Sequence, residues 1–479
     1  MRKIIFTVIL LFIFTSGFLY SLLIPPWKAR FIQQLTTQIQ AVSHLRIQIN
    51  KTGFHLPATI TLKDFSAITK DLPRQLIFSS SEIRVRLNII SLFRGKAKPE
   101  SVVFYSPSLY IVRDEEGKLN VADLISTKED LFALFPIVKV SGGRIDFVDY
   151  YESADSVHHR FFIDRATLKY LKDQSVSIQS PVMKYEKSRF ALNGKIPIHR
   201  GDNSLAVTSD HFPTEDALKL LSIFNRTEVY RYKDIAFGTM SLNIRLTEKQ
   251  GNERVEGEIL MPQGKLLNYK TGKCRAKFTL ERDGSLNIDE VGIRLEEKGL
   301  LLASGKFSTR GNQPFSLKAH LENFPINLFT LWLDETYPLK SGNASADLML
   351  SGQYKKPESY SGSGEINLVN FALPSVKKGL QPISLDAASA RFTIQKGVAI
   401  SQKCNIRMKG LKMELSGKVM PDESLSLTGS AKVRKMELDD NSIKEVLEPL
   451  LKEKDREYSL RVEIGGTLSA PILDFKLTR

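Results

Sequence analysis

From position 46 to the C-terminus, apolar and polar residues alternate with a period of two. Ile47 and Ile49 alternate with Arg46, Gln48 and Asn50; Ile60 and Leu62 alternate with Thr59, Thr61 and Lys63; Ile83, Val85, Leu87 and Ile89 alternate with Arg84, Arg86 and Asn88. The same period returns at Leu242, Ile244, Leu246, at Val291, Ile293, Leu295, at Phe315, Leu317, Ala319, Leu321, and at Leu460, Val462, Ile464. Successive side chains of a strand point to opposite faces, so this pattern specifies strands that are dry on one face and wet on the other. Parallel sheets bury both faces and read as unbroken apolar runs, which leaves an antiparallel sheet as the expectation.

Turn-forming stretches punctuate the pattern at short intervals, among them Glu281 to Gly284, Thr309 to Asn312 and Pro421 to Ser424. Consecutive strands are therefore expected to pair as hairpins in a meander. Ser-Gly or Asn-Gly pairs recur beside alternating strands at Asn193, Ser304, Ser351, Ser363 and Ser416, a weak sign of a repetitive sheet. Helices are expected to be few. Residues 28–42 carry Phe31, Ile32, Leu35 and Ile39 at helical spacing, residues 214–226 open on Thr214, Glu215 and Asp216, and residues 442–452 contain Pro449, which bends or shortens that helix. The chain thus holds about 25 to 30 one-faced strands without sequence for a second layer of helices, and such a sheet must hide its apolar face by curling. The expected fold is a long, twisted, curled antiparallel sheet forming an open apolar groove. Alternation alone is equally compatible with a filled β-sandwich or barrel core.

The first thirty residues are different. An uncharged run from Ile4 to Ile24, including Leu10, Phe14 and Leu19, is preceded by Arg2 and Lys3 and followed by Pro25, Pro26, Trp27 and Lys28. As a helix it reaches roughly 30 Å, the thickness of a bilayer's hydrocarbon core. A cleaved signal would have a shorter apolar region ending in small residues, and no Ala occurs before Ala29. The expectation is an uncleaved, single-pass anchor with most of the chain exported.

The net charge of +15 favours anionic surfaces. The Lys and Arg lie singly along strands, as at Arg84 and Arg86, and not in a basic helix or an aromatic-interleaved patch, so no nucleic-acid partner is expected. Seven histidines lack the spacings that metal sites need, and the adjacent His158 and His159 would point to opposite faces of a strand. No nucleophile elbow, phosphate-cradling loop or dinucleotide fingerprint is present, and the acidic pairs Asp114-Glu115 and Asp439-Asp440 fall in apparent turns. Neither catalysis nor a cofactor is expected. Cys274 and Cys404 are the only cysteines, so no disulfide framework holds the fold, and whether they pair is open at this point.

Three stretches carry a family resemblance. Residues 102–125 (VVFYSPSLYIVRDEEGKLNVADLI), residues 138–150 (VKVSGGRIDFVDY) and Gly465 to Pro471 (GGTLSAP) resemble the N-terminal, following and closing elements of the AsmA-like family, itself similar to bridge-like lipid-transfer proteins of double-membrane bacteria. Where the family often carries Asp in the closing element, this chain has Ala470. The resemblance implies a cytoplasmic tail (1–3), an inner-membrane anchor (4–24), a linker helix (25–45), an N-terminal β region (46–150) and an extended β-groove region (151–479) in the periplasm. It implies a role in outer-membrane biogenesis, with phospholipid acyl chains, the inner membrane and other envelope or outer-membrane proteins as partners. Ile83, Val85, Leu87, Leu242, Ile244, Leu246, Ile293, Leu317 and Leu348 are the residues expected to line the groove, with rim Arg and Lys meeting head-group phosphates. A structural protein of the envelope with the same fold and no lipid flux is the alternative.

Overall fold

The computed structural model describes residues 45–478 apart from segments between strands, the longest being 122–134, 222–235, 332–340 and 374–382, together with residues 29, 32, 33 and 37. The described residues are mainly β, 77% of them in strands, and 25 strands form one sheet that is almost entirely antiparallel. No helix among the described residues is long and apolar enough to cross a membrane. The expected anchor, with Ile4, Leu10, Phe14, Leu19 and Ile24, lies outside the described residues; the four described positions of the linker, Ala29, Ile32, Gln33 and Thr37, are helical.

The chain divides into two compact units, Met1–Arg231 with Leu242–Glu253, and Tyr232–Ser241 with Arg254–Arg479. The first contains β1 (Leu45–His55), β2 (Thr59–Thr69), β3 (Leu76–Leu87), β4 (Pro99–Tyr105), β5 (Ser108–Arg113), β6 (Ile137–Asp149), β7 (Val157–Tyr170), β8 (Ser175–Tyr185), β9 (Ser188–Pro197) and β10 (Asn203–Pro213). Position 150, an expected boundary, is inside this unit, because β6 and β7 pair along their whole length.

One feature of the unit departs from a simple meander. β4 and β5 are two pieces of one sheet position, interrupted at Ser106-Pro107, and both lie antiparallel to β3 and parallel to β6. Ser106 takes a positive φ of 46° and Pro107 has no N–H to give a ladder, so the strand breaks there. A parallel neighbour needs a crossover of a dozen residues or more. Residues 114–136 supply it. Ile60, Leu62, Ile77, Ile83, Val85, Leu87 and Val102 form a closed core over β2–β4, packed beneath Val121 of the crossover and against Ile32 and Phe135.

β11 (Ala236–Lys249) contributes to the second unit up to Ser241 and to the first from Leu242. The second unit continues with β12 (Asn252–Met261), β13 (Gly264–Leu266), β14 (Tyr269–Glu281), β15 (Ser285–Leu295), β16 (Leu300–Ser308), β17 (Pro314–Pro325), β18 (Asn343–Gln353) and β19 (Lys356–Leu373). It closes with β20 (Ile383–Gln395), β21 (Val398–Met408), β22 (Leu411–Val419), β23 (Leu425–Arg434), β24 (Glu457–Gly466) and β25 (Pro471–Leu477). From β14 to β25 every strand is antiparallel to the next. β12 and β13 repeat the broken-strand device, meeting β14 on either side of Pro262.

The expected helix at 214–226 is observed over Thr214–Leu221, the remainder being outside the described residues. The one at 442–452 is a helix over Ser442–Leu447 followed by a 3-10 turn at Glu448–Leu450. Pro449 cannot supply the N–H that the next helical turn requires. This segment lies on the apolar face of the last strands: Ile443, Leu447 and Leu451 pack with Leu411, Val433, Leu460 and Val462 into the largest buried cluster. Cys274 and Cys404 are free thiols on β14 and β21, and burial pushes both up from their ordinary pKa. A raised thiol is a poor nucleophile.

If the 442–451 segment seals the last strands, truncating Leu447, which is fully buried, to Ala should cost about 2–5 kcal/mol in urea unfolding. Val446, 36% exposed one residue earlier, should tolerate the same change within about 0.5 kcal/mol.

Candidate functional site: the half-buried apolar face of the second unit

Register places apolar side chains of the second unit in continuous rows running across the strands. One row starts at Phe278 on β14, passes directly opposite Ile288 and Gly305, and continues through Leu317 and Leu350 to Gly362. It goes on through Ile394 and Ala399 to Val419 and Leu425 on β23. Every member is apolar or glycine, and every one is only half-buried. A second row runs alongside it through Val291, Ala303, Ala319, Leu348, Gly364 and Phe392, again half-buried throughout. Ten strands at about 4.8 Å make the first row roughly 40 Å long.

Further along the same strands the face is sealed. Leu301, Leu321 and Ala346 are buried, packed with Leu295, Phe324 and Leu328 where the 3-10 segment Ile326–Leu331 crosses them. The connections decide this. At the sealed end the chain makes long excursions between β17 and β18 and between β23 and β24, and these carry apolar side chains back over the sheet. At the other end β14–β15, β18–β19, β20–β21 and β22–β23 turn within a few residues, as at Lys355 and at Lys396-Gly397, too short to cover anything.

The exposed rows are also low in relief. The Phe278 ring lies over Gly257 on β12, so that a Cβ there would come within 2.2 Å of it. Phe392 and Leu348 close over Gly364 in the same way, at 2.8 and 2.6 Å. A ring laid on a neighbouring glycine presents its flat side, and the rows read as a shallow apolar floor. Nothing in this floor ionises.

The residues expected to line a groove fall in two environments. Leu317 and Leu348 belong to the two half-buried rows, and Ile293 is half-buried beside Val291; Leu242, Ile244 and Leu246, which belong to the first unit, are half-buried on β11. Ile83, Val85 and Leu87 are 4%, 1% and 2% exposed and belong to the closed core of the first unit. The wet face of the second unit is dished as well, with a hollow of about 730 Å³ lined by Lys318, His320, Asp347, Met349, Glu365 and Arg391. Its charges face one another: His320 Nδ1 lies 2.7 Å from Asp347, and Arg391 donates to Glu365 at 2.6 Å.

Two of the three stretches that carry the family resemblance, residues 102–125 and 138–150, meet in the first unit. Gly142, with φ +67°, and Gly143 on β6 lie beside the Ser106-Pro107 break, where Ser106 N–H donates to Ser141 O and Arg144 N–H to Pro107 O. A Cβ at Gly143 would meet Val140 Cγ1 at 2.8 Å and reach Pro107 Cγ at 3.4 Å. Arg113 pairs with the buried Asp149, and the Asn120 side chain accepts from Val112 N–H and donates to Tyr110 O, pinning the 114–120 turn back on β5. These residues hold a turn and a parallel pairing. Period-two reasoning missed a polar seam on the inner face nearby. There His159, 3% exposed, lies 2.7 Å from the Tyr185 hydroxyl, and burial pushes that phenol far above its ordinary pKa. Asp216 accepts from Ser188 Oγ and Lys187 N–H. The only sequence hint was the adjacency of His158 and His159 on a strand.

Asp149→Ala should destabilise the first unit by about 3–5 kcal/mol, because it strips a largely buried guanidinium of its carboxylate. Glu463→Ala, at an exposed pair with Arg461, should change stability by less than about 1 kcal/mol in the same denaturation assay. In comparisons with known proteins, no protein-family model matches this chain, and neither a curated protein nor a solved structure does.

Proposed function

We propose that this chain is an inner-membrane-anchored, periplasmic protein of the AsmA-like kind that holds phospholipid acyl chains on the half-buried apolar face of its second unit and moves them along it. The observation that supports this reading is the ten-strand row from Phe278 to Leu425, apolar or glycine at every position and sealed at none. A soluble chain gains about 25 cal/mol for each Å² of apolar surface it removes from water, so a continuous apolar strip of this length is costly to leave wet. A lipid tail relieves that cost, at about 0.8 kcal/mol per buried methylene. The row, at roughly 40 Å, exceeds the roughly 15 Å that one leaflet's tails span, which leaves space for more than one chain end to end. The uniformity of the row suits transport, since a tail displaced by one strand meets an equivalent floor.

Two substitutions separate an open lipid face from an ordinary core. Leu348→Asp places a carboxylate where water can still reach it, so stability should fall by no more than about 1–3 kcal/mol while copurifying phospholipid drops several-fold in native mass spectrometry. Val85→Asp buries an unpaired carboxylate at a position 1% exposed and should unfold the first unit. A photoreactive side chain at position 317 of the full chain should capture phospholipid in cells. No adduct there, together with an undiminished lipid content in Leu348→Asp, would remove the transport reading and leave a structural protein of the envelope.

A further inference from the structure

The opposite, wet face of the first unit carries an arrangement that strand pairing ordinarily avoids. Lys184 on β8 and Arg189 on β9 are directly opposite one another, both exposed. Like charges directly opposite in an antiparallel pair destabilise it. Among the described residues neither side chain has an acidic partner. The row they belong to extends both ways in strict register: Phe162 on β7 is opposite Lys184, Arg144 on β6 is opposite Phe162, and His211 on β10 is opposite Arg189. Five strands at about 4.8 Å make it roughly 19 Å long. Phe162, between Arg144 and Lys184, is 46% exposed.

The acidic groups nearest the row are Asp146, Asp164, Asp210 and Glu186, and Glu186, two residues beyond Lys184, pairs with Lys219 at 3.5 Å. Asp146 is shared by Arg144 and Arg160, each 2.7 Å away, and Arg144 also donates to the Tyr110 hydroxyl. Asp164 and Asp210 are exposed where β7 and β10 lose register with β8 and β9.

We infer that this row is a docking surface for the anionic head groups of a membrane, with phosphates between Lys184 and Arg189 and the Phe162 ring at the level where amphipathic rings lie in an interface. The ligand supplies the negative charge that the strand pair lacks, and the ring supplies apolar contact that a soluble anion would not use. A single-stranded nucleic acid would want successive rings for successive bases, and one ring serves five strands here. Reach also favours the membrane, a step that rests on reading residues 4–24 as the anchor: residues 25–44 alone separate that run from β1, roughly 30 Å if helical and about 70 Å at most if extended.

The test uses the full chain reconstituted into vesicles of phosphatidylcholine alone or with one third phosphatidylglycerol, both with brominated tails. Phe162→Trp adds an emission over that of Trp27 and Trp332 in the parent. Its quenching should be at least threefold greater with phosphatidylglycerol and should fall to the phosphatidylcholine level when Lys184→Glu is added. Lys184→Glu alone should keep or raise the melting temperature, since it puts opposite charges across the pair. Equal quenching in the two vesicles, no quenching, a lowered melting temperature of Lys184→Glu, or tighter binding to an oligonucleotide than to the vesicles would overturn the inference. A chain that does not float with either vesicle fails at the anchor, which is read separately from emission at position 162.

Discussion

Most of the described strands pair with their sequence neighbours and carry one apolar face, and the rest of the architecture depends on that combination. A meander of this kind adds strands without ever folding a second sheet over the first, so the apolar face is covered only where a connection is long enough to return across it. In the first unit the crossover at 114–136 does so, bringing Val121 and Phe135 over β2–β4. In the second, residues 326–331 and 442–451 do so at one end of the strands. At the other end of these strands, beside the tight β14–β15, β18–β19, β20–β21 and β22–β23 turns, the face stays half-buried. Loop length, and not the strands' own composition, therefore decides which part of the face is core and which part is surface.

This explains how far the sequence could be read. Alternation identified the strands and their pairing because side-chain direction is a property of one strand, and the tight turns at Gly284 and Glu423 are marked by their own residues. The same alternation is found at Val85 and at Leu348, yet one is closed core and the other half-buried. Their difference is made by residues far away in the chain: Val121 and Ile32 pack over the first, whereas the second lies only at the margin of the cluster that holds Leu328. Periodicity has no access to that. The parallel pairing of β6 escaped for a related reason: Pro107 and Gly142-Gly143 announce irregular backbone, but only their juxtaposition shows that Arg144 N–H donates to Pro107 O across it. The cation row was half accessible, since a two-residue turn between Tyr185 and Ser188 fixes Lys184 opposite Arg189, whereas Arg144 and Phe162 join it through register alone.

The glycines of the apolar face have a packing role more than a conformational one. A Cβ at Gly257 or Gly364 would strike the ring that lies over it. Glycine in a strand weakens it and offers nothing to pack, and a neighbouring ring laid across it restores part of both losses while keeping the surface flat. In a filled core flatness would be a defect, because interdigitating shapes give dense packing. On the proposed transport reading, it would remove the ridges that hold a flexible chain in one place.

Each unit carries one unsettled surface: the apolar rows in the second unit and the cation row in the first. On one, apolar rows stop short of full burial; on the other, Lys184 and Arg189 repel across a ladder, with Phe162 left exposed beside them. Proteins whose local choices otherwise agree with the fold break those rules mainly where a partner completes the interaction. A phospholipid is amphipathic in the sense that both sites require, with tails for the apolar rows and an anionic head group for the cations. On the proposed reading, a single ligand class would account for two departures that have no common cause within the fold.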